Sequence, residues 1–338
     1  MESTNGQSII EFKLPSRVGI IYSDAKPEYF PTEQQYLTEK DSFTNAQVIA
    51  DELKILNIDS ILYPGNESLT ESLRRDKPEM IFNLVDSVRG NEYLSSTIPG
   101  ILEMLDIPYA GAGIIGFALC YNKFLTKQLL KAAGIPVPNC QLFVTPNDQI
   151  DLGLRFPIIS KLNEIHGAVE ITKSAVSENE KELRERLKYL IDTYKQPVVA
   201  EEFIVGREIA IIVIEGQNRK VYMGEKVFNK PDDKYVFATF EDQWYESISE
   251  PFTYARFDDE KLRNYARRAF DLTKMADYGK FDVRMDASGR YYFIDVNANP
   301  AFGPKRLQTS MGYIVQDLYG VTFSDILKRL MINTLYGN

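Results

Sequence analysis

Between Gly279 and Asn297 the chain alternates charged and apolar side chains on both sides of a short turn. The first arm reads Gly279-Lys-Phe-Asp-Val-Arg-Met-Asp286, the turn Ala-Ser-Gly289, and the return arm Tyr-Tyr-Phe-Ile-Asp295-Val-Asn297. Successive side chains on a strand point to opposite faces, so this pattern predicts a β-hairpin with Lys280, Asp282 and Arg284 on one face and Asp295 and Asn297 beside them. Phe281, Val283, Phe293, Ile294 and Val296 argue against a simply solvated hairpin. A buried face carrying two carboxylates and an amide without a counter-charge is costly. Asp282, Asp295 and Asn297 form a hard oxygen set that suits Mg²⁺, with Mn²⁺ as the alternative, completed by substrate phosphates.

The rest of the composition narrows the chemistry. His166 is the only histidine and Cys120 and Cys140 the only cysteines, so a zinc site lacks ligands and any Ser-His-Asp triad must use His166. Chemistry rests on Lys, Arg, Asp, Glu and Asn. A net charge of -9 argues against a nucleic-acid-binding surface. No apolar run approaches the ~20 residues of a membrane-spanning helix, and no basic-then-apolar leader is seen at the start, so the expected location is the cytoplasm.

Strand and helix patterns alternate from residue 17 onward. Strands are expected at 17–22, 60–63 and 80–85, with helices at 41–56, 67–75 and 98–105, which predicts a doubly wound parallel sheet. A helix at 123–133 ends at Gly134 with Pro136 and Pro138 beyond it. An α+β unit follows, with strands at 156–162 and 197–204, a hairpin partner at 168–174 and a charged helix at 178–194. Further strands are expected at 207–214 and 220–227, and helices at 258–275 and 323–335. The domain reading is a flexible leader 1–16, an N-terminal domain 17–119, a central unit 120–200 and a C-terminal unit 201–338.

Tyr-Asn-Lys123, Phe-Pro-Ile-Ile-Ser-Lys161, Glu201-Glu-Phe-Ile-Val-Gly-Arg-Glu208, Asp282 and Asp295-Val-Asn297 occur in an order that resembles the ATP-grasp ligases. Phe82-Asn-Leu, Ile-Pro-Tyr-Ala-Gly111 and Asn122-Lys-Phe-Leu-Thr-Lys127 are similar to the D-alanine:D-alanine ligase branch. The resemblance implies a three-domain ATP-grasp fold, of mixed α/β and α+β class, and ATP as substrate. It implies Lys123 and Lys161 on the ATP phosphates, Glu201, Phe203 and Ile204 along the adenine, and Glu208 on the ribose. Lys280 and Arg284 become candidates for stabilising the oxyanion and the departing phosphate. Similar ligases are often homodimers, which the sequence does not itself decide.

The chain also departs from that branch. A Gly-Gly-x-Ser-x-Glu motif after the first strand, a serine in the phosphate-covering loop and a later Lys-Tyr pair are missing. Gly167-Ala168 and Gln243-Trp244 stand at the last two places, and Lys305-Arg306 where an acceptor-binding serine is found. Trp244 and Arg306 are therefore expected to bind substrate, Arg306 through a planar fork on a carboxylate. His166, in the covering loop, receives no role from the sequence. The function expected is ATP-dependent ligation of an amino acid to a larger carboxylate or vinylogous acid, as in the making of mycosporine-like amino acids. The alternatives are a true D-alanine:D-alanine ligase and a nucleotide-binding regulatory protein without turnover.

Overall fold

The computed structural model describes residues 12–230, 233–245 and 250–337. Arg17–Tyr22 (β1), Asp59–Pro64 (β2), Met80–Leu84 (β3) and Tyr109–Ala110 (β4) form a parallel sheet in the order β2-β1-β3-β4. Glu33–Leu37 (α1), Ser42–Ile55 (α2), Leu69–Asp76 (α3), Glu92–Ser95 (α4) and Thr97–Met104 (α5) accompany it. Val18, Ile20, Met80 and Phe82 meet Ile49 and Leu53 of α2 on one face. Ile21 and Ile81 meet Leu73 of α3 and Leu102 of α5 on the other. Both faces are covered, as parallel strands require, and the sheet is doubly wound. Residues 12–16, expected to be flexible, are docked: the Phe12 ring lies 5.2 Å from that of Tyr336, and Ser16 donates through its amide to Glu79. The remainder of the expected leader lies outside the described residues.

Ile114–Cys120 (α6) and Lys123–Ala132 (α7) lead to a second sheet. Its strands are Cys140–Phe143 (β5), Ile158–Leu162 (β6), Val176–Ser177 (β7) and Val198–Glu202 (β8), ordered β5-β8-β6-β7 and antiparallel, with Glu180–Tyr194 (α8) packed across one face. The strand expected at 168–174 is a loop instead. Ala168 and Glu170 sit at φ 58° and 65°, in the left-handed region, which breaks an extended run. Glu170 is held there by Arg186 at 3.0 Å and by the hydroxyls of Tyr189 and Tyr194.

Arg207–Ile214 (β9), Lys220–Phe228 (β10), Phe252–Arg256 (β11), Tyr278–Met285 (β12) and Tyr291–Asn297 (β13) make a third, antiparallel sheet in the order β11-β10-β9-β12-β13. Phe240–Trp244 (α9), Glu260–Leu272 (α10) and Phe323–Tyr336 (α11) are the α-helices of this part among the described residues. β9 is central. Its Ala210, Ile212 and Ile214 face α2 and α11, while Ile209, Ile211 and Val213 face α10 and Leu130 of α7. Burial on both faces explains why Ile209 to Ile214 is an unbroken apolar run.

The expected boundary 119/120 falls inside α6 and 200/201 inside β8, and α7, assigned to the central unit, packs into the third sheet's core. Among the described residues no helix is long and apolar enough to cross a membrane.

Leu327 of α11 is fully buried in the core that joins the first and third sheets. Leu327→Ala should cost about 2–5 kcal/mol of folding stability, read from equilibrium urea unfolding. A loss below about 0.5 kcal/mol, typical of surface positions, would contradict this packing.

Candidate active site

Cross-strand register builds the centre of the site. Asp282 lies opposite Asp295 and Lys280 opposite Asn297 on the β12–β13 pair, whose register shifts after Asp282 so that Val283 faces Phe293 and Ile294 has no partner. Such a bulge re-aims the backbone. The Ile294 carbonyl accepts from Lys127 Nζ at 2.9 Å and from Lys161 Nζ at 3.1 Å. Burial works to raise the Asp282 pKa, but Lys280 and Lys226 outweigh it and hold it down to about 2. Lys280 pairs directly with Asp282, and Lys226 Nζ stands 3.5 Å from it. The Asp295 carboxylate has no hydrogen-bond or ion-pair partner among the described residues, while Asn297 Oδ1 accepts from the Asn299 amide at 2.9 Å. This donor set fits a hard divalent cation: oxygen ligands only, one carboxylate uncommitted, and one whose charge is drawn to ammonium groups where a metal would take it.

A second network lies deeper. Glu201, 1% exposed, is gripped by Lys127 at 2.7 Å and by Lys161. Burial acts to lower the Lys161 pKa, but Glu201 overcomes it and raises it. Glu201, expected along an adenine, lines the cavity; its carboxylate is held by the two lysines and its backbone is paired on both sides within β8. Phe203 and Ile204, in the link from β8 to β9, line the cavity as well. Asn122 caps α7 through the Leu125 amide and sets Lys123 at the helix start, where Nζ donates to the Ile165 carbonyl. Burial there lowers the Lys123 pKa.

Glu208 is 4% exposed and binds Lys226 at 2.7 Å and Arg284 at 3.0 Å. Arg284, expected at the reacting phosphate, spends its guanidinium on Glu208 and on the carbonyls of Gly206 and Val236, 4.8 Å from the Phe203 ring. It positions Glu208, and among its guanidinium nitrogens Nε has no hydrogen-bond partner among the described residues. Sequence reading missed Lys226. The signal was a lysine inside an apolar strand, and its register neighbour is Glu208.

These groups line one cavity of about 1070 Å³. Lys123, Lys161, Lys226 and Lys280 reach it from α7, β6, β10 and β12. The loop after β6 covers one side. Gly167 is at φ 73° and a Cβ there would lie 2.5 Å from Thr38, so the loop needs glycine. Trp244 latches this loop, donating from Nε1 to the Gly167 carbonyl at 2.7 Å, with its ring on Phe240. Arg306 was expected in the cavity and is not part of its lining. It turns toward α2, pairing with Glu52 at 3.0 Å and with the Val48 carbonyl, because the turn at 305–307 faces that helix. Lys305 lines the cavity but is paired with Asp317 at 2.6 Å.

Behind the covering loop, His166 meets three acidic residues that sequence reading did not select. Its Nδ1 is 3.3 Å from Glu92, its Nε2 4.0 Å from Asp86, and Glu39 adjoins them. Burial alone would lower its pKa, but the carboxylates of Asp86, Glu92 and Glu39 push it up to about 9.

Two antiparallel sheets enclosing a lysine-lined cavity, beside a doubly wound domain, define the ATP-grasp architecture. The D-alanine–D-alanine ligase from Bacillus anthracis, solved in complex with ATP, shares this fold with a TM-score of 0.70 over 94% of this chain and 97% of its own, at 17% identity. The VanG D-Ala:D-Ser ligase from Enterococcus faecalis aligns with a TM-score of 0.69, covering 94% and 98%, at 18% identity. D-alanine–D-alanine ligase B of Pseudomonas putida is 26% identical over 298 residues, 87% of this chain and 86% of its own. The uncharacterized protein y4sG of Sinorhizobium fredii is 25% identical over 286 residues, 81% and 82%. The family model described as D-ala D-ala ligase C-terminus matches residues 129–332, more than half of the chain. The chain belongs to that family and is an ATP-dependent ligase forming carbon–nitrogen bonds.

Because the folded His166 pKa, about 9, lies above its ordinary 6.5, its contribution to stability is complete below pH 6.5 and lost as pH rises through 9. The melting temperature of the wild type should therefore fall over this window more steeply than that of His166→Gln. Parallel melting curves across the window would place the imidazole away from the three carboxylates.

Proposed function

We propose that this ligase joins the amine of an amino acid to the carboxylate of a larger acid. The observation that carries the reading is the convergence of Lys123, Lys161, Lys226 and Lys280 on one cavity beside the uncommitted Asp295. Four ammonium groups from four elements suit a polyphosphate, whose charge each meets as a compact point. In the reaction proposed, the substrate carboxylate attacks the γ-phosphorus of ATP and ADP departs. The amine then attacks the acyl phosphate carbon and inorganic phosphate departs, leaving an amide-type bond. Lys123 and Lys161 hold phosphate oxygens, Lys226 adds a charge beside the ribose-facing Glu208, and Lys280 meets the developing oxyanion. Phe203 and Ile204 bound the adenine slot. Asp282, Asp295 and Asn297 would hold Mg²⁺, which neutralises phosphate charge. Positioning and charge neutralisation supply the rate.

Trp244 supports a larger acid. Its indole offers a broad surface at the cavity wall where a tyrosine hydroxyl is expected in similar ligases. The cavity lining and the named relatives lend no support to a mycosporine-like acid in particular, so the proposal stays with the substrate class. D-Alanine:D-alanine ligation is the second reading, and the names of the relatives favour it.

Asp295→Asn should lower amine-dependent ADP release about 100-fold or more with an unchanged circular dichroism spectrum, since it removes charge where phosphate charge develops. Activity within a few-fold of wild type would remove the metal assignment. Incubation with Mg-ATP and D-alanine alone, beside a panel of L-amino acids each paired with larger acids, separates the two readings. Dipeptide formation from D-alanine that exceeds every paired reaction would replace the first reading by the second.

A further inference from the structure

Asp86, Glu92 and Glu39 converge from three separate places: the segment after β3, the first turn of α4, and the turn that precedes α2. One oxygen each of Glu39 and Glu92 and one ring nitrogen of His166 lie within 4.8 Å of one another. Glu39 is 1% and Glu92 5% exposed, and neither lines the cavity, whereas His166 and Asp86 do. The imidazole therefore stands between the two buried glutamates and the cavity. Neither of its ring nitrogens makes a hydrogen bond, nor does Glu39 Oε1. Tyr121 closes one side, its ring 6.3 Å from the imidazole.

This wall adjoins the reacting centre. Asn299 links the two, donating from its amide to Asn297 Oδ1 at 2.9 Å and from Nδ2 to Asp86 Oδ1 at 3.0 Å. Lys123 Nζ binds the carbonyl of Ile165, the residue before His166.

Three carboxylates gathered in a wall of low dielectric constitute a receptor for an ammonium ion. Here a side chain of the protein fills it. Of the three carboxylates only Asp86 is open to a substrate ammonium approaching from the cavity, and it stands beside the imidazole; Glu39 and Glu92 lie behind His166. Juxtaposed like charges exclude a partner as effectively as a steric clash. We propose that His166 is a specificity-determining residue: it occupies the ammonium receptor, so that the acid phosphorylated in this cleft lacks a free amino group beside its carboxylate. The inference rests on the reading that a carboxylate is activated here by ATP. It deepens that reading by separating the partners, the acid being a des-amino acid and the amino acid serving only as the amine.

The test isolates activation of the acid. Full-length enzyme with Mg-ATP and excess hydroxylamine converts any acyl phosphate to a hydroxamate, with phosphate released. Matched acids with and without an α-ammonium are compared: 3-phenylpropionate with phenylalanine, cyclohexanecarboxylate with 1-aminocyclohexanecarboxylate, and propionate with alanine. The wild type should favour the des-amino member by about 100-fold in kcat/KM, the range that a misplaced polar group imposes. His166→Gln should shift that ratio toward the amino acid by at least about tenfold while the KM for ATP stays within about twofold, and His166→Lys, which keeps a cation, should restore the wild-type preference. A wild type that prefers the amino acids overturns the inference without any variant and leaves ligation intact. A ratio unmoved in His166→Gln overturns it too. Stoichiometric Mn²⁺ or Zn²⁺ binding that is lost in His166→Gln would put a metal among the carboxylates and overturn it as well. No hydroxamate from any acid would sink the ligation reading together with the inference.

Discussion

Glu201 carries a carboxylate where water cannot reach it, and the cleft is organised around that fact. A buried charge is tolerated only when its partners are close and fixed. Here they are Lys127 from α7 and Lys161 from β6, both of which also bind the Ile294 carbonyl at the bulge of β13. The second sheet, the third sheet and α7 are thereby tied at one point. Lys161 keeps its charge despite burial because Glu201 is there, and that charge is what the cavity presents beside Lys123 and Lys280.

The same logic repeats one layer out. Glu208 neutralises Lys226 and Arg284, and Arg284 in turn closes on the Gly206 and Val236 carbonyls and stacks against Phe203. Arg284 thus fixes the link between β8 and β9 that borders the cavity. A guanidinium suits this task better than an ammonium, because its fork satisfies several acceptors in one plane. Support for these networks comes from β9, whose two apolar faces key the third sheet to α10 on one side and to α2 and α11 on the other. Rigid packing beneath the charges keeps their geometry from relaxing.

Elements with a strong period were legible. β1, β9, β12, β13, α2, α7 and α8 lie within a few residues of their expected bounds. The elements not foreseen are short or at edges: β5 has four residues, β11 is an edge strand with exposed Thr253, Ala255 and Arg256, and α9 has five. Such segments carry too little apolar alternation to show a period. The loop at 168–174 misled for another reason. Val169 and Ile171 look like strand residues, but left-handed backbone at Ala168 and Glu170, fixed by Arg186 and two tyrosines from α8, overrides that local preference.

For the site, the sequence determined which charged residues share the hairpin face, because period and turn fix the register of neighbouring strands: Asp282 beside Asp295, Lys280 beside Asn297. It also determined that Lys123 opens a helix and that Lys161 ends an apolar strand. Only the tertiary structure decided what each charge faces. Arg284 shares a strand face with Lys280 yet serves Glu208, and Arg306 turns from the cavity to Glu52. His166 meets Asp86, Glu92 and Glu39 across long stretches of chain. Pairing of buried charges depends on distance and desolvation between separate elements, and neither quantity is written in local spacing.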